Sequence, residues 1–190
     1  MKLKFDSNQQ YQLDAIQAVV DIFAGQSKGG DGANYHIDQG RQTSFEATIS
    51  RGNSLVLDAT QIAENMHKVQ DRNGIEKSET KEGGFSIPAT FPPEIGEKSL
   101  KHGMNFSIEM ETGTGKTYVY LRTIHELHQH YGWKKFIIVV PSVAIREGVL
   151  KNLAITGEHF ADLYNKPEMD YYVWDSKKTG QAREFATNDT

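Results

Sequence analysis

The sequence feature that most constrains the fold of this chain is a glycine-rich turn, TGTGKT at residues 112–117, that runs into a helical pattern. Gly113 and Gly115 allow the backbone to wrap tightly, with its N–H groups pointing inward. Such amides, together with the start of the following helix, form a nest for anionic oxygens. The stretch therefore predicts a loop that binds phosphate groups.

Two side chains in this turn add to that prediction. Lys116 supplies a point charge that reaches the outer phosphates of a nucleotide, and Thr117 supplies a hydroxyl suited to a Mg²⁺ ion that bridges them. We therefore predict that Lys116 and Thr117 are catalytic residues and that Thr117 is a metal ligand. The competing interpretation is a helix N-cap after a glycine turn. Met110 stands where the general phosphate-loop pattern has glycine, which disfavours a small-molecule kinase or a GTPase.

The elements around the turn predict an α/β fold. Apolar patterns indicate strands at residues 104–110, 134–142 and 170–176, and helices at residues 116–131 and 143–153. The run KKFIIVVPS is continuous and β-branched, which is typical of a strand buried on both faces of a parallel sheet. Strands that alternate with helices in this way predict a parallel sheet flanked by helices, with right-handed crossovers.

Residues 5–26 predict an amphipathic helix. Ser7 and Gln10 have the spacing of a capping box, and Gly25 offers a stop. The apolar residues that recur with helical period are Leu13, Ile16, Val19, Val20 and Phe23.

Residues 27–102 predict an irregular, partly mobile insertion that decorates this domain. The segment is largely polar and has weak periodicity. Its predicted elements are a short strand at residues 53–59 and a helix at residues 58–74, with Ile62, Met66 and Val69 on one face of that helix.

Composition sets broader limits. The chain has 190 residues, which suits about one domain, and its net charge of −4 gives no global attraction to nucleic acid or to an anionic membrane. It contains no cysteine, which excludes disulfides and thiolate sites. We find neither a signal peptide nor an apolar run long enough to span a membrane, so we expect a cytoplasmic protein with no membrane partner.

Gln12, at the start of the first helix, is a candidate for reading a base. Its amide presents a donor and an acceptor side by side, which matches the edge of adenine, so the expected nucleotide is ATP. Tyr11 or Phe5 could stack on the ring. The alternative interpretation is an exposed glutamine at a helix start beside a packed tyrosine.

A second candidate site follows the run KKFIIVV. The turn at Pro141 and Ser142 falls at the carboxyl end of a predicted strand, where open α/β sheets bind ligands. Backbone amides there, with Ser142 and Arg146, could hold nucleic-acid phosphates. The alternative is that Ser142 caps the next helix and Arg146 is solvated.

Other polar and aromatic groups receive ordinary structural interpretations. His125 and His128 lie one turn apart but lack further ligands, so we interpret them as common helix-end histidines. The cluster of Tyr171, Tyr172 and Trp174 is interpreted as strand packing.

Three segments together resemble a known family: FDSNQQYQLDAIQAVVDIFAGQ, FSIEMETGTGKTYVYLRTIHEL and KKFIIVVPSVAIREGVLKNL. They are similar to the start of the restriction (Res) subunit of type III restriction-modification enzymes, which are superfamily 2 helicase-like proteins. The resemblance covers residues 1–26 and 103–190.

The resemblance implies that the chain forms part of a first RecA-like motor domain. It implies DNA-backbone contact by Pro141, Ser142 and Arg146. It also implies hydrolysis of ATP with Mg²⁺, action on double-stranded DNA, a methyltransferase (Mod) partner and a C-terminal nuclease. The nucleotide-binding residues that it implies are Gln12, Thr112, Gly113, Thr114, Gly115, Lys116 and Thr117.

Parts of the family pattern do not occur in these 190 residues. Hydrolysis needs an acidic pair after a later apolar strand, and Asp175 ends a strand-like run without an acidic neighbour. We therefore expect an N-terminal fragment that binds nucleotide weakly and turns over almost none. Alternatives are another superfamily 2 helicase or repair ATPase, and a non-catalytic, truncated nucleotide-binding remnant.

Overall fold

A computed structural model describes residues 5–28, 53–77, 80–81, 84–85, 106–167 and 169–187 of the chain. Its elements, in chain order, are the helices α1 (Gln10–Ile22) and α2 (Ala59–Arg72), the strands β1 (Thr80–Lys81) and β2 (Gly84–Phe85), and the helices α3 (Lys116–Tyr131), α4 (Val143–Leu163) and α5 (Thr179–Thr187). Most of the predicted insertion at residues 27–102 lies outside the described residues.

The chain divides into two units, which are described separately. One unit, here called the loop unit, comprises Asp6–Gln26 and Val56–Thr123 and contains the glycine turn. The other, the C-terminal unit, comprises Met1–Phe5, Ser27–Leu55 and Ile124–Thr190.

The core of the loop unit lies between α1 and α2. Ile62 is fully buried there, as the helical period of the sequence predicts. Asn65 is also buried, and its Nδ2 donates to the carbonyls of Ile22 at 3.2 Å and Ala24 at 2.8 Å. The orphan carbonyl of Ile22 at the end of α1 and the carbonyl of Ala24 just beyond it are satisfied in this way. The members of this core are Ile22, Leu57, Ile62 and Met66, with Phe23, Ala63, Val69 and Phe106 packed against them.

Helix starts show where the sequence patterns hold. Asp58 and Gln61 form a reciprocal capping box at the start of α2. The capping box predicted for Ser7 and Gln10 is wrong, because α1 is capped at Gln9 without a side-chain bond. The Ser7 carbonyl instead accepts a hydrogen bond from Arg122, so a tertiary contact holds the entry to α1.

Helix α3 has the bounds that the sequence predicts and is buried on several sides. Val119, Leu121 and Leu127 are buried, as their spacing predicts, and Ile124 is half-buried. Gly132 follows the helix with a φ of +70°, which is the conformation of a helix stop.

In the C-terminal unit, the end of α3 packs on α4. The His125 ring stacks on Tyr164, with centroids 5.0 Å apart, and lies 4.9 Å from the Phe160 ring. The Tyr164 hydroxyl donates to Oε1 of Glu126 at 2.6 Å. These contacts join the C-terminal halves of the two helices.

Asn53 organises the segment after α3. Its Oδ1 accepts from the N–H groups of Lys134 at 2.9 Å and Lys135 at 3.0 Å, and its Nδ2 donates to the Lys135 carbonyl at 2.7 Å. The indole of Trp133 donates to the Ser54 carbonyl at 3.0 Å. A side chain thus supplies the pairing that a neighbouring strand would give.

The predicted α/β fold with a RecA-like parallel sheet is wrong for the described residues. Their only strands are the two-residue β1 and β2, which pair with each other in an antiparallel hairpin, with Thr80 opposite Phe85. Residues 53–58, 106–110, 132–140 and 169–175 lie outside any helix or strand. A strand exists through hydrogen bonds to a neighbouring strand, and among the described parts of the chain these segments do not supply such bonds to one another.

Candidate nucleotide-binding loop

The glycine turn is a wrapped loop that leads directly into α3. Gly113 has a φ of +85° and Gly115 a φ of +82°, a region that side chains other than glycine rarely adopt. None of the backbone N–H groups of residues 113–117 donates a hydrogen bond to a described residue. Five consecutive amides at a helix start are therefore available to an anion.

Lys116 is held close to the loop. Its exposed side chain folds back so that Nζ donates to the carbonyls of Met110 and Glu111, each at 2.7 Å. Because the acceptor at residue 110 is a backbone carbonyl, methionine can stand there without loss of this contact. The ammonium group is therefore held against the backbone of the loop.

The threonines of the loop differ in their surroundings. Thr114 Oγ1 donates to the Glu111 carbonyl at 2.7 Å, which closes the turn. Thr112 is exposed and Thr117 is half-buried. The Thr117 hydroxyl makes no hydrogen bond to a described residue, so it is available to a ligand.

Gln12 lies against the loop rather than in solvent. It is 8% exposed, and its Nε2 donates to the Thr114 carbonyl at 2.9 Å. A Cβ built on Gly115 would lie 2.8 Å from this Nε2, so glycine is needed for the close approach. The amide nitrogen is thus committed to the loop, and its Oε1 accepts no bond from a described residue.

The two aromatic candidates for base stacking occupy different units. Tyr11 is exposed in the loop unit, and its hydroxyl donates to Oε1 of Gln9. Phe5 belongs to the C-terminal unit, where its ring lies 5.3 Å from that of His159. The interpretation of a packed tyrosine beside an exposed glutamine is reversed, because Gln12 is the buried member.

Sequence reasoning missed Arg122, which is 8% exposed on α3. Its Nη1 donates to the Ser7 carbonyl at 2.6 Å. The signal was present, because Arg122 lies three residues after the inward-facing Val119 and so falls on the buried face of the helix.

The second candidate site begins α4. Ser142 caps this helix, with Oγ accepting from the Ile145 N–H at 3.3 Å. Pro141 is exposed, and the guanidinium of the half-buried Arg146 donates to Oε1 of Glu147 at 2.8 Å. Ser142 thus has a structural role, and an adjacent carboxylate neutralises part of the charge of Arg146.

Acidic residues give no second centre in the described parts of the chain. Asp175 accepts from the Lys177 N–H at 3.0 Å, which is a turn contact before α5. No group of three or more histidine, aspartate or glutamate side chains suited to a metal ion occurs among the described residues. In the same part of the chain, no helix has the length and apolar character needed to cross a membrane.

The histidines have structural surroundings. His128 Nδ1 lies 2.9 Å from the Trp133 carbonyl. The pKa of His125 is lowered to about 4, first by burial, then by the neighbouring His128, and Glu126 acts in the opposite direction. Tyr171 and Trp174 are exposed, so the predicted strand packing of that aromatic cluster is wrong for them.

The sequence belongs to a known family. Residues 7–188 match the family described as "Type III restriction enzyme, res subunit", so the chain is a member of it and carries a helicase-like ResIII domain. This confirms the resemblance drawn from the sequence.

Three named relatives support the same family. The EcoPI Res subunit of Escherichia phage P1 is 30% identical over 181 residues, or 94% of this chain. The StyLTI Res subunit of Salmonella typhimurium is 47% identical over 68 residues, or 35% of this chain. The EcoP15I Res subunit of Escherichia coli is 44% identical over 77 residues, or 39% of this chain. The matched parts are 16%, 7% and 8% of these relatives, so the chain spans less than a fifth of their length.

Proposed function

We propose that this chain is the ATP-binding part of a DNA-dependent, helicase-like ATPase, the Res subunit of a type III restriction endonuclease. The observation that carries the proposal is the loop at residues 113–117, with five amides that bond no described residue, two glycines at positive φ and a lysine whose Nζ bonds the backbone just before the loop. Family membership supports the enzyme class.

The residues of the loop fit a triphosphate. The free amides of residues 113–117 would bind phosphate oxygens, and Lys116 would exchange two carbonyl acceptors for a phosphate oxygen. This exchange costs little because backbone carbonyls are neutral acceptors, whereas phosphate is charged. A Cβ at Gly113 would meet no atom within 4 Å, so this glycine leaves open space beside the backbone for the ligand.

Mg²⁺ would be held by Thr117, whose hydroxyl is uncommitted among the described residues. Magnesium keeps several waters and commonly takes only one or two protein ligands beside phosphate oxygens, so a single hydroxyl suits it. When bound, the ion neutralises charge on the transferred phosphoryl group. Lys116 would stabilise the same charge.

Gln12 would read the base while it holds the loop. With Nε2 bonded to Thr114, Oε1 is the remaining polar atom and suits a donor such as the exocyclic amine of adenine. Guanine presents a carbonyl at that position, which would repel Oε1. We therefore expect ATP to bind better than GTP.

The wider assignments rest on family membership. We propose that residues 1–190 are the N-terminal part of the helicase and ATPase domain and that residues 27–102 are an insertion in it. The region of Pro141, Ser142 and Arg146 would contact the backbone of double-stranded DNA. The whole protein would cut foreign DNA with a methyltransferase (Mod) subunit that recognises the site.

Binding of a fluorescent ATP analogue with Mg²⁺ tests the proposal on this chain. Lys116→Ala should weaken binding by at least about tenfold, since a hydrogen bond to a charged group is worth about 1.5–3 kcal/mol. Lys151→Ala is the matched control, because Lys151 is an exposed lysine on α4. Equal affinity of the two variants, or stronger binding of GTP than of ATP, would overturn the proposal.

A further inference from the structure

Arg122 is a buried cation with an assigned partner. Its side chain is 8% exposed, and burial of a guanidinium is unfavourable unless its N–H groups are hydrogen-bonded. Its Nη1 donates to the Ser7 carbonyl at 2.6 Å, which is a short, charge-assisted bond. Through this bond the arginine holds a specific point of the backbone.

The point that it fixes is the entry to α1. Ser7 lies two residues before the N-cap Gln9, which has no side-chain cap of its own. Gln12 follows within the first turn of α1 and bonds the Thr114 carbonyl at 2.9 Å. The position of Gln12 therefore depends on how the segment before α1 is held.

These contacts form a closed ring within the loop unit. The loop at Thr114 leads into α3, and Arg122 lies six residues after Lys116 on that helix. Arg122 bonds Ser7, and Ser7 leads through α1 to Gln12, which returns to Thr114. One side of the ring is the rigid helix α3. Loss of the bond at Ser7 therefore loosens the contact at Thr114, and loss of the bond at Thr114 loosens the contact at Ser7.

We propose that Arg122 is a positioning residue for the nucleotide loop. Through Ser7 it holds Gln12 against Thr114 and Gly115, so that the glutamine supports the loop and faces the base. The inference rests on the proposed function and adds a residue whose action on the ligand is indirect. Its effect on ATP affinity must pass through Gln12.

A double-mutant cycle tests this path. ATP affinity is measured for the wild type, Gln12→Ala, Arg122→Met and the double variant. Each single change should weaken binding by roughly fivefold to tenfold, and the double variant should be within about twofold of Gln12→Ala, because residues that act through one another are not additive. A loss from Arg122→Met that is the same with and without Gln12 would overturn the inference.

Arg72→Met is the matched control. Arg72, on α2, also contacts α1 through an ion pair with Asp21. This pair lies at the C-terminal end of α1, whereas Arg122 contacts the entry to α1. Its loss should lower the melting temperature and leave ATP affinity unchanged. If it weakened ATP binding as much as Arg122→Met, the effect would be general destabilisation, and the inference would fail.

Arg122→Lys covers the case in which Arg122→Met does not fold. Lysine keeps the charge but loses the planar fork, so we expect a loss of about threefold that disappears in the Gln12→Ala background. Wild-type affinity in Arg122→Met, with binding still weakened by Lys116→Ala, would sink this inference alone. Equal binding by the wild type and Lys116→Ala would instead sink the proposed function.

Discussion

The loop at residues 112–117 and the apolar run at residues 136–140 carry two strong patterns in this sequence, and they differ in the structure. The loop wraps as its glycines predict and is held by Gln12 and by its own threonine. The apolar run forms no strand, and Ile137 and Val139 are 78% and 88% exposed. The comparison shows which sequence patterns form their structure without partners elsewhere in the chain.

A glycine turn before a helix is a local structure. Its positive φ angles depend on the absence of a Cβ, and its closing hydrogen bond spans three residues, from Thr114 to Glu111. A buried strand requires partners on both edges and cover on both faces. The backbone groups of residues 136–140 bond no described residue, so that requirement is unmet among them.

The largest expected effect is on the free energy of unfolding and is seen by comparing substitutions at two isoleucines. Ile62→Ala removes a fully buried side chain from the α1–α2 core and should lower the free energy of unfolding by about 2–5 kcal/mol. Ile137→Ala changes an exposed side chain and should alter it by less than about 0.5 kcal/mol. Denaturant unfolding of the chain measures both. A large loss from Ile137→Ala would show that the run is buried and would contradict its difference from the loop.

The next effect is on ATP affinity and is seen by comparing substitutions at two glycines of the loop. Gly113→Ala places a side chain at a positive φ, which costs roughly 1–2 kcal/mol of free energy, so ATP affinity should fall by about tenfold. Gly115→Ala adds a Cβ 2.8 Å from Nε2 of Gln12, so the glutamine must withdraw and its bond to Thr114 is lost. We expect a further loss of roughly threefold or more for Gly115→Ala. Titration with a fluorescent ATP analogue measures both, and equal losses would contradict the role given to Gln12.

The smallest effect concerns the C-terminal unit, where His125 is buried although residues 136–140 are not. Its pKa of about 4 in the folded chain lies below the ordinary 6.5, so the unfolded chain binds more protons between these values. Stability from the neutral ring is therefore complete above pH 6.5 and is lost as the pH falls towards 4. After allowance for solvent screening, the loss between pH 7 and pH 5 should be roughly 1–2 kcal/mol.

His125→Phe isolates this contribution. Phenylalanine keeps an aromatic ring beside Tyr164 and does not titrate, so thermal unfolding should depend less on pH between 7 and 5. His130→Gln is the control, because His130 lies on the same helix and its side chain is half exposed. Equal pH slopes for the wild type and His125→Phe would contradict the assignment.

The candidate site was predictable to the extent that it is local. Lys116, Thr117 and the glycines stand together in the chain, and the structure places them in one loop. The role of Gln12 in the loop was not predictable, because its bond to Thr114 joins residues 102 positions apart. The helical position of Arg122 indicated its burial, but its acceptor was not predictable, since it is a backbone carbonyl 115 positions away.

Hydrophobic periodicity and short turns, which act within a few residues, determined the helices α1, α2 and α3 and the shape of the loop at residues 112–117. The family also follows from the sequence, because a family match depends only on the order of the residues along the chain. Tertiary structure alone decided that Arg122 holds the entry to α1, that Gln12 is buried and that the apolar run at residues 136–140 pairs with no described segment. The physical reason is range: a helix satisfies its hydrogen bonds from its own segment, whereas strands and buried polar side chains need partners that are distant in the chain.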